Sequence, residues 1–205
     1  MIVRCDASWG PAAESRAAPW ARHGSGRIMR AMRYDLRPLA GAGPLELGMS
    51  RDRVLETLDH APRAVGPGLE PPVLPDAFHD GGLLVHYAGE KPPRVVFVEF
   101  VRGHGLEVAI FDRPVFETPA DELIAFLTER TDYDRDDPEL PLQFAFLDWE
   151  LTLGRRPRPG EVLATDGEDD GEDDDLDAAD DDPDAGRFFD RVGLGVRGYV
   201  SGENS

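Results

Sequence analysis

The chain has 205 residues, of which 40% are hydrophobic, and this is enough for the core of one domain with additional tails. Its formal net charge is −19, but thirteen of its 41 acidic residues lie between Asp166 and Asp184 without a basic residue among them, and removing these leaves −6. An acidic chain of this kind lacks the basic surface that neutralises phosphates, so its composition argues against nucleic-acid binding.

The single cysteine, Cys5, excludes an intramolecular disulfide and a cysteine-based zinc site, and it fits a reducing compartment. The longest apolar runs are too short to span a membrane, and residues 1–33 lack the continuous apolar region of a secretory signal. We therefore expect a cytoplasmic protein without a membrane partner.

Residues 1–33 contain six arginines and many small residues but no hydrophobic period, which predicts a disordered basic extension. A basic anchor for a membrane or a nucleic acid is the alternative interpretation. Met29 and Met32 lie immediately before the start of globular character at Tyr34, so each is a candidate for the true translation start. The predicted domain then comprises residues 34–163 and 186–200, and residues 164–185 form an acidic, disordered insert.

The first predicted helix covers residues 50–59. Ser50 is a good N-cap, and Val54, Leu55 and Leu58 form one apolar stripe along the helix. Prolines and glycines crowd residues 62–82, which predicts a long irregular loop. The next predicted strand is Leu83–Ala88.

Residues 94–112 hold the densest run of apolar, strand-forming residues in the chain. A nearly continuous apolar segment is followed by turn residues at 102–105 and by a second, alternating segment, which predicts an antiparallel hairpin at the centre of a sheet. Glu99 is expected at a rim or in a pair, because the first strand is apolar on both faces. One predicted face carries Val96, Val98 and Phe100, and the other carries Val95, Phe97 and Val101.

The second predicted helix covers residues 118–130 and follows a short strand at 114–117. Thr118 provides an N-cap hydroxyl, Pro119 occupies the first helical position, and Asp121 places a carboxylate near the positive end of the helix dipole. The core-facing stripe, spaced i, i+3, i+4 and i+7, contains Ala120, Leu123, Ile124 and Leu127.

Three further strands are predicted at residues 142–146, 149–153 and 187–200. The phase of the apolar alternation changes at Leu147 and Asp148, which indicates a bulge or a tight turn, and the last strand is expected to close the sheet. Together the elements predict an α+β protein: a curved antiparallel sheet of about six strands with two helices packed on it, a disordered N-terminal arm and the acidic insert.

Two short motifs resemble ligand-binding fingerprints without their structural context. Residues 193–198 match G-x-G-x-x-G, yet too few residues follow for the helix that would meet a pyrophosphate, so turn or bulge glycines are expected. The insert matches an EF-hand loop at five positions, but no amphipathic pattern flanks it. We therefore predict no cofactor and no bound metal. The five positions are Asp166, Glu168, Asp170, Gly171 and Asp177.

Candidate binding residues come from the acidic loop after the second helix and from the acidic insert. Exposed carboxylates of this kind attract a basic protein partner. The predicted partner-binding residues are Asp132, Tyr133, Asp134, Asp136, Asp169, Asp170, Asp173 and Asp174.

An alternative site involves histidine. His79, His86 and Glu99 are candidates for a small-ligand-binding or hydrolytic site beneath the loop at 62–82, if the fold brings them together. The sequence contains no metalloprotease motif or nucleophile elbow, so no catalytic residue is assigned.

The region between residues 43 and 62 has a recognisable pattern: a G-x-x-x-x-G-M-S segment, a short helix that ends in a leucine, and a proline-bearing loop before a sheet. Its residues are Gly43, Gly48, Met49, Ser50, Val54, Leu58 and Pro62. This pattern resembles the repeat unit of the beta-lactamase-inhibitor-protein and outer-membrane-assembly-lipoprotein superfamily, and the whole chain resembles small bacterial immunity-type α+β proteins. The resemblance implies a protein that binds another protein without catalysis.

The leading expectation is therefore a non-enzymatic, cytoplasmic protein-binding module, in its specific form an immunity protein that neutralises a basic toxin. Two alternatives remain open at this point. One is the ligand-binding or hydrolytic site around the two histidines, and the other is a regulatory domain without a ligand of its own.

Overall fold

Two β-sheets and two α-helices are formed by the described residues, 32–59, 62, 75–89, 92–158 and 186–202 of a computed structural model. The α+β class is confirmed, but the single sheet of about six strands is wrong. The elements in chain order are β1 (Arg33–Arg37), β2 (Gly41–Ala42), β3 (Leu45–Glu46), α1 (Arg51–Leu58), β4 (Asp76–Phe78), β5 (Leu83–Ala88), β6 (Arg94–Val101), β7 (Glu107–Ile110), β8 (Arg113–Pro114), α2 (Ala120–Thr128), β9 (Gln143–Phe146), β10 (Leu151–Gly154) and β11 (Arg191–Gly195).

The strands divide into a five-stranded and a six-stranded sheet, both open. The five-stranded sheet has the order β3-β2-β1-β7-β8, and β1 and β7 run parallel while the other pairs are antiparallel. The six-stranded sheet has the order β4-β5-β6-β11-β10-β9 and is antiparallel throughout. Strand β11 does not close the sheet at an edge, because it lies inside it between β6 and β10.

The predicted hairpin of residues 94–112 is wrong. Strand β6 pairs with β5 and β11, whereas β7 pairs with β1 and β8 in the other sheet. The turn between them, with Gly103 and Gly105 at positive φ, carries the chain from one sheet to the other. Local alternation and turn residues do not identify the partner of a strand, and here β11, far along the chain, occupies the edge of β6 that a hairpin would use.

A register shift opposite β6 also changes the predicted faces. His86 pairs with Phe97 and Tyr87 pairs with Val95, so Val96 has no direct partner on β5. Such a bulge reverses the alternation. The buried side chains of β6 are therefore Val95, Val98 and Phe100, and the half-buried ones are Val96, Phe97, Glu99 and Val101.

Both helices lie close to their predicted positions. Helix α1 starts after Ser50, although the Ser50 side chain forms no cap hydrogen bond, and it buries Val54 and Leu58. Helix α2 buries Ala120, Leu123 and Leu127, as its spacing predicts. The predicted N-cap Thr118 is wrong, because Pro119 occupies the cap position and Thr118 is buried.

Several strand boundaries differ from the predicted ones. Strand β8 covers two residues and starts one residue earlier than the predicted 114–117 segment. Strand β4 lies in the stretch predicted as irregular loop. The phase change between β9 and β10 is a 3-10 turn, Leu147–Trp149, followed by Glu150 with a φ of 50°.

One cluster of buried apolar side chains includes residues of both sheets and both helices. Tyr34 of β1 and Phe100 of β6 connect the sheets, with ring centroids 4.9 Å apart. All of these residues belong to the compact unit Ala31–Ser205, and strand β1 begins at Arg33, the last residue of the predicted extension. Residues 1–31 of that extension and the whole predicted insert lie outside the described residues.

The core assignment can be tested by truncating two buried side chains. Leu123→Ala and Val98→Ala should each lower the free energy of unfolding by about 2–4 kcal/mol, because both side chains are buried and both variants leave a cavity. Urea denaturation measures this change.

Glu122→Ala is the matched control on α2. The Glu122 side chain is exposed, and its ion pair with Arg113 is a surface pair, so the change should stay within about 0.5 kcal/mol. A larger loss for Glu122→Ala than for Leu123→Ala would contradict the orientation of the helix.

Candidate functional site

The outer face of the six-stranded sheet, opposite the core, carries a groove of about 320 Å³. Along β6, Phe97 and Glu99 alternate with buried residues and point to this face. The pairing places Gly193 opposite Glu99 and Thr152 opposite Gly193, so small residues form the floor. We call this feature the sheet-face groove; its lining residues are Phe97, Glu99, Gln143, Thr152, Gly154, Arg191, Gly193, Tyr199 and Val200.

Gly193 is required by the close approach of the Phe97 ring. A Cβ atom at Gly193 would overlap the tip of that ring and would lie 2.6 Å from the Thr152 hydroxyl oxygen. At Gly195 a Cβ atom would lie 3.1 Å from the Cβ of Tyr199. The expectation that the G-x-G-x-x-G glycines lie in a turn or bulge is thus wrong for these two, which lie in β11 where an aromatic ring covers the strand.

The carboxylate of Glu150 holds the last described turn in place. Glu150 is 3% exposed and accepts hydrogen bonds from the backbone N–H groups of Gly198 and Val200, each at 2.6 Å, and from the Ser201 hydroxyl at 3.3 Å. This arrangement sets Tyr199 on Phe97 as a stacked pair, with ring centroids 4.9 Å apart and planes 18° apart. Sequence alternation treated Glu150 as an ordinary strand residue and missed this role.

His86 and Glu99 meet at one end of the groove. His86 Nε2 lies 3.9 Å from Glu99 Oε2, and Arg191 Nη1 lies 4.0 Å from Glu99 Oε1. Both distances exceed hydrogen-bonding range, and His86 Nε2 is buried without a partner. Burial lowers the pKa of His86, and burial raises the pKa of Glu99 against the opposing effect of Arg191. The imidazole is therefore neutral at neutral pH.

The structure brings together two of the three residues of the predicted histidine site. His79 lies against Tyr34 of the five-stranded sheet instead, with 3.0 Å between its Nε2 and the Tyr34 hydroxyl oxygen. Burial raises the pKa of Tyr34 to about 12, so this hydroxyl keeps its proton. Among the described residues, no group of three His, Cys, Asp or Glu side chains could hold a metal ion.

The acidic loop after α2 holds four of the predicted partner-binding residues. Asp132 and Asp136 are exposed, and Asp134 is half-buried and accepts a hydrogen bond from the Asp136 N–H at 3.0 Å. The ring of Tyr133 packs edge-on against Phe144 and Phe146 and is half-buried, so it serves the core as well as the surface. The other four residues, Asp169, Asp170, Asp173 and Asp174, lie outside the described residues.

Aromatic contacts connect this loop to an exposed ring. Phe146 stacks on Trp149, with centroids 6.2 Å apart, and Trp149 meets Phe111 edge-to-face at 5.2 Å. Phe111 is 46% exposed and has a φ of 47°, and Asp112 beside it has a φ of 63°. We call Tyr133, Phe146, Trp149 and Phe111 the aromatic row. Periodicity placed Phe111 at the end of a strand and carried no sign of its exposure.

The chain was compared with models of known protein families, with curated proteins and with solved structures, and none of these comparisons gave a match. No helix among the described residues is long and apolar enough to cross a membrane.

The packing of the groove floor can be tested at Gly193. Gly193→Ala should destabilise the fold by about 1–3 kcal/mol, because the added methyl group displaces the Phe97 ring. Gly154→Ala is the matched control on the neighbouring strand, where the nearest atom to an added Cβ is Arg191 Cβ at 3.7 Å, an ordinary contact. Urea denaturation compares the two, and equal stability of both variants would contradict the close approach at Gly193.

The burial of Glu99 predicts a pH-dependent effect on stability. Because the folded state raises its pKa, it holds the proton more tightly than the unfolded chain, and stability is lost as pH rises through the raised pKa. Glu99→Gln removes this loss, so the variant should gain stability over the natural protein as pH rises from about 4 to about 8. The charged or titratable groups that face Glu99 are His86, Arg191 and Tyr199.

Thermal unfolding across that pH range measures the difference between the two proteins. Glu107→Gln, at an exposed position of strand β7, is the control and should follow the natural protein at every pH. A constant difference between Glu99→Gln and the natural protein would contradict the assignment.

Proposed function

We propose that the chain is a non-enzymatic protein-binding module whose partner is basic. One observation carries the proposal: Phe111 is held exposed at a positive φ, with Trp149 against its edge. A left-handed conformation costs a bulky residue about 1–2 kcal/mol relative to its ordinary backbone conformations. An exposed aromatic ring in this conformation adds little to the stability of the free protein. Its presence therefore favours a role in binding.

The composition around Phe111 suits a protein interface. Binding hot spots are rich in Trp, Tyr and Arg and are surrounded by polar residues. Here Trp149 is half-buried beside the exposed Leu147, and the guanidinium carbon of Arg130 lies 5.8 Å from the centre of the Phe111 ring. We call Phe111, Leu147 and Trp149, together with Asp112 and Asp148, the partner surface.

Its charge favours a basic partner. The Asp112 side chain is 98% exposed beside Phe111, and Asp148 follows Leu147 in the chain. Asp148 accepts a hydrogen bond from the Thr131 hydroxyl at 3.0 Å, which brings the start of the acidic loop, with Asp132, to the same area. Carboxylates around an apolar centre steer a basic partner during encounter, and the net charge of −19 acts in the same direction. A toxin-neutralising immunity protein is the specific form of this function that the resemblance of the whole chain to small bacterial immunity-type proteins implies.

The geometry of His86 and Glu99 favours a binding role over hydrolysis. The His86 Nε2 atom that faces Glu99 is buried, and 3.9 Å separates it from the carboxylate. A general base needs an atom within hydrogen-bonding reach of the substrate proton. The same groove is considered below as a binding site, without a reaction.

The test removes the Phe111 side chain without adding backbone strain. Phe111→Gly should leave the free energy of unfolding unchanged or raise it by about 1 kcal/mol, because glycine adopts a positive φ freely. Affinity for the partner, recovered from the native host by affinity capture, should fall about 30-fold or more, as for a hot-spot residue. Surface plasmon resonance measures affinity, and its association rate should fall as salt increases.

Leu39→Gly is the matched control, because Leu39 is 37% exposed, has a φ of 61° and is not one of the residues of the partner surface. It should change stability as Phe111→Gly does and leave affinity unchanged. Equal affinity of both variants for the partner would refute the proposed surface. An association rate that does not change with salt would refute the basic character of the partner.

A further inference from the structure

The carboxylate of Glu99 has unused hydrogen-bonding capacity in the sheet-face groove. Its side chain is 20% exposed, and its nearest nitrogen neighbours, the guanidinium of Arg191 and the neutral ring of His86, are 4.0 and 3.9 Å away. Within the described part of the chain, no donor reaches it at hydrogen-bonding distance. An ionised carboxylate accepts about four hydrogen bonds, and a partly buried one without donors is costly. Glu99 therefore differs from a structural carboxylate, whose hydrogen-bond acceptors are occupied by donors of the protein.

The wall beside Glu99 is aromatic. Tyr199 is stacked on Phe97 and is 42% exposed, and Glu99 lies close enough to Tyr199 to help raise the pKa of its hydroxyl, after burial itself. Gln143 and Thr152 line the same groove and add side-chain oxygen acceptors. The groove thus combines a flat aromatic wall, an anion without donors and further acceptors.

These features together select one ligand chemistry. A guanidinium group is planar, packs on aromatic faces and donates two parallel hydrogen bonds to a carboxylate, whereas an ammonium group is a point charge without a flat face. We propose that the sheet-face groove binds the guanidinium group of an arginine, with Glu99 as the anion that receives it and Tyr199 as the surface on which it packs. This site is separate from the partner surface around Phe111 and does not rest on the proposed function.

The neighbouring side chains Arg191 and His86 determine how binding at the site depends on competition and on pH. The Arg191 side chain is 69% exposed, and an exposed ion pair at 4.0 Å contributes little, so the ligand can replace it at Glu99. His86 is neutral at neutral pH and does not oppose the ligand. Acidification protonates Glu99 and charges His86, and both changes weaken the binding of a cation.

The experiment titrates the full-length protein with N-acetyl-arginine methylamide and follows backbone amide shifts by NMR. The matched ligand is the citrulline analogue, in which a neutral urea replaces the guanidinium with nearly the same shape. Saturable shifts in β6, β10 and β11 are expected with the arginine compound and not with citrulline. Equal binding of both compounds, or the absence of saturable binding, would overturn the proposal.

Four variants separate the site from general electrostatic attraction. Glu99→Gln should weaken binding about tenfold or more, since it removes charge-assisted hydrogen bonds, and Tyr199→Ala should weaken it without a change in charge. Arg191→Gln should strengthen binding, because it removes the competing guanidinium, and Glu107→Gln should change nothing. Each variant is first checked for cooperative unfolding. Loss of affinity in Glu107→Gln as large as in Glu99→Gln, or weaker binding in Arg191→Gln, would refute the site.

Free arginine provides the last comparison, because the guanidinium could come from a free amino acid or from a polypeptide. Tighter binding of free arginine than of the blocked amide assigns the site to the amino acid, and equal or weaker binding assigns it to an arginine side chain of a protein. Both results support the guanidinium site and distinguish its source.

Discussion

The pairing of β6 with β5 on one side and β11 on the other is the constraint on which the rest of the structure depends. Because side chains alternate along a strand, β6 supplies Val98 and Phe100 to the core and Phe97 and Glu99 to the opposite face. Phe100 meets Tyr34 and so connects the two sheets. One face of β6 therefore contributes to the core and the other to the sheet-face groove. Both depend on the pairing of β6 with β5 and β11.

Two carboxylates of the six-stranded sheet show what burial demands of an acid. Glu150 is almost completely buried and receives two backbone N–H groups and a hydroxyl, so its charge is used to fix a turn. Glu99 is less buried, and its neighbours Arg191 and His86 lie beyond hydrogen-bonding distance. The Glu150 carboxylate receives all of these hydrogen bonds from groups of the protein itself. The Glu99 carboxylate can still accept hydrogen bonds from a ligand. For this reason we assign Glu99 to a ligand site and Glu150 to the framework that positions Tyr199.

The two candidate surfaces differ in how they are built. The sheet-face groove is formed by strands and a pinned turn, which hold Phe97 and Tyr199 in one geometry. The partner surface is at the β7–β8 turn, where Phe111 and Asp112 both have positive φ. A two-residue hairpin turn of this hand normally uses glycine or asparagine. The use of phenylalanine there exposes a large ring beside carboxylates, which suits an encounter with a basic protein more than it suits the free fold.

Local patterns in the sequence were sufficient for the helices and for most strands. The apolar spacing in α2 identified Leu123 and Leu127 as buried, and β5 covers the predicted residues, Leu83–Ala88. These predictions succeed because helical and strand periods depend on neighbours in the chain. The acidic character of the loop at Asp132 and Asp136 was likewise readable from composition, and both residues are exposed.

Tertiary structure alone decided which strands pair and which side chains meet. Strand β7 pairs with β1 and not with its predicted partner β6, and the bulge at Val96 changes which side chains of β6 are buried. Neither could be predicted, because pairing between segments far apart in the chain has no local signature. The same holds for the functional residues. His86 meets Glu99, Tyr199 packs on Phe97 over Gly193, and Phe111 reaches Trp149 only because the sheets bring distant segments together. The sequence by itself determined the class of the fold and its acidic surface; the positions of the groove and of the partner surface follow from non-local packing, which no local pattern in the chain encodes.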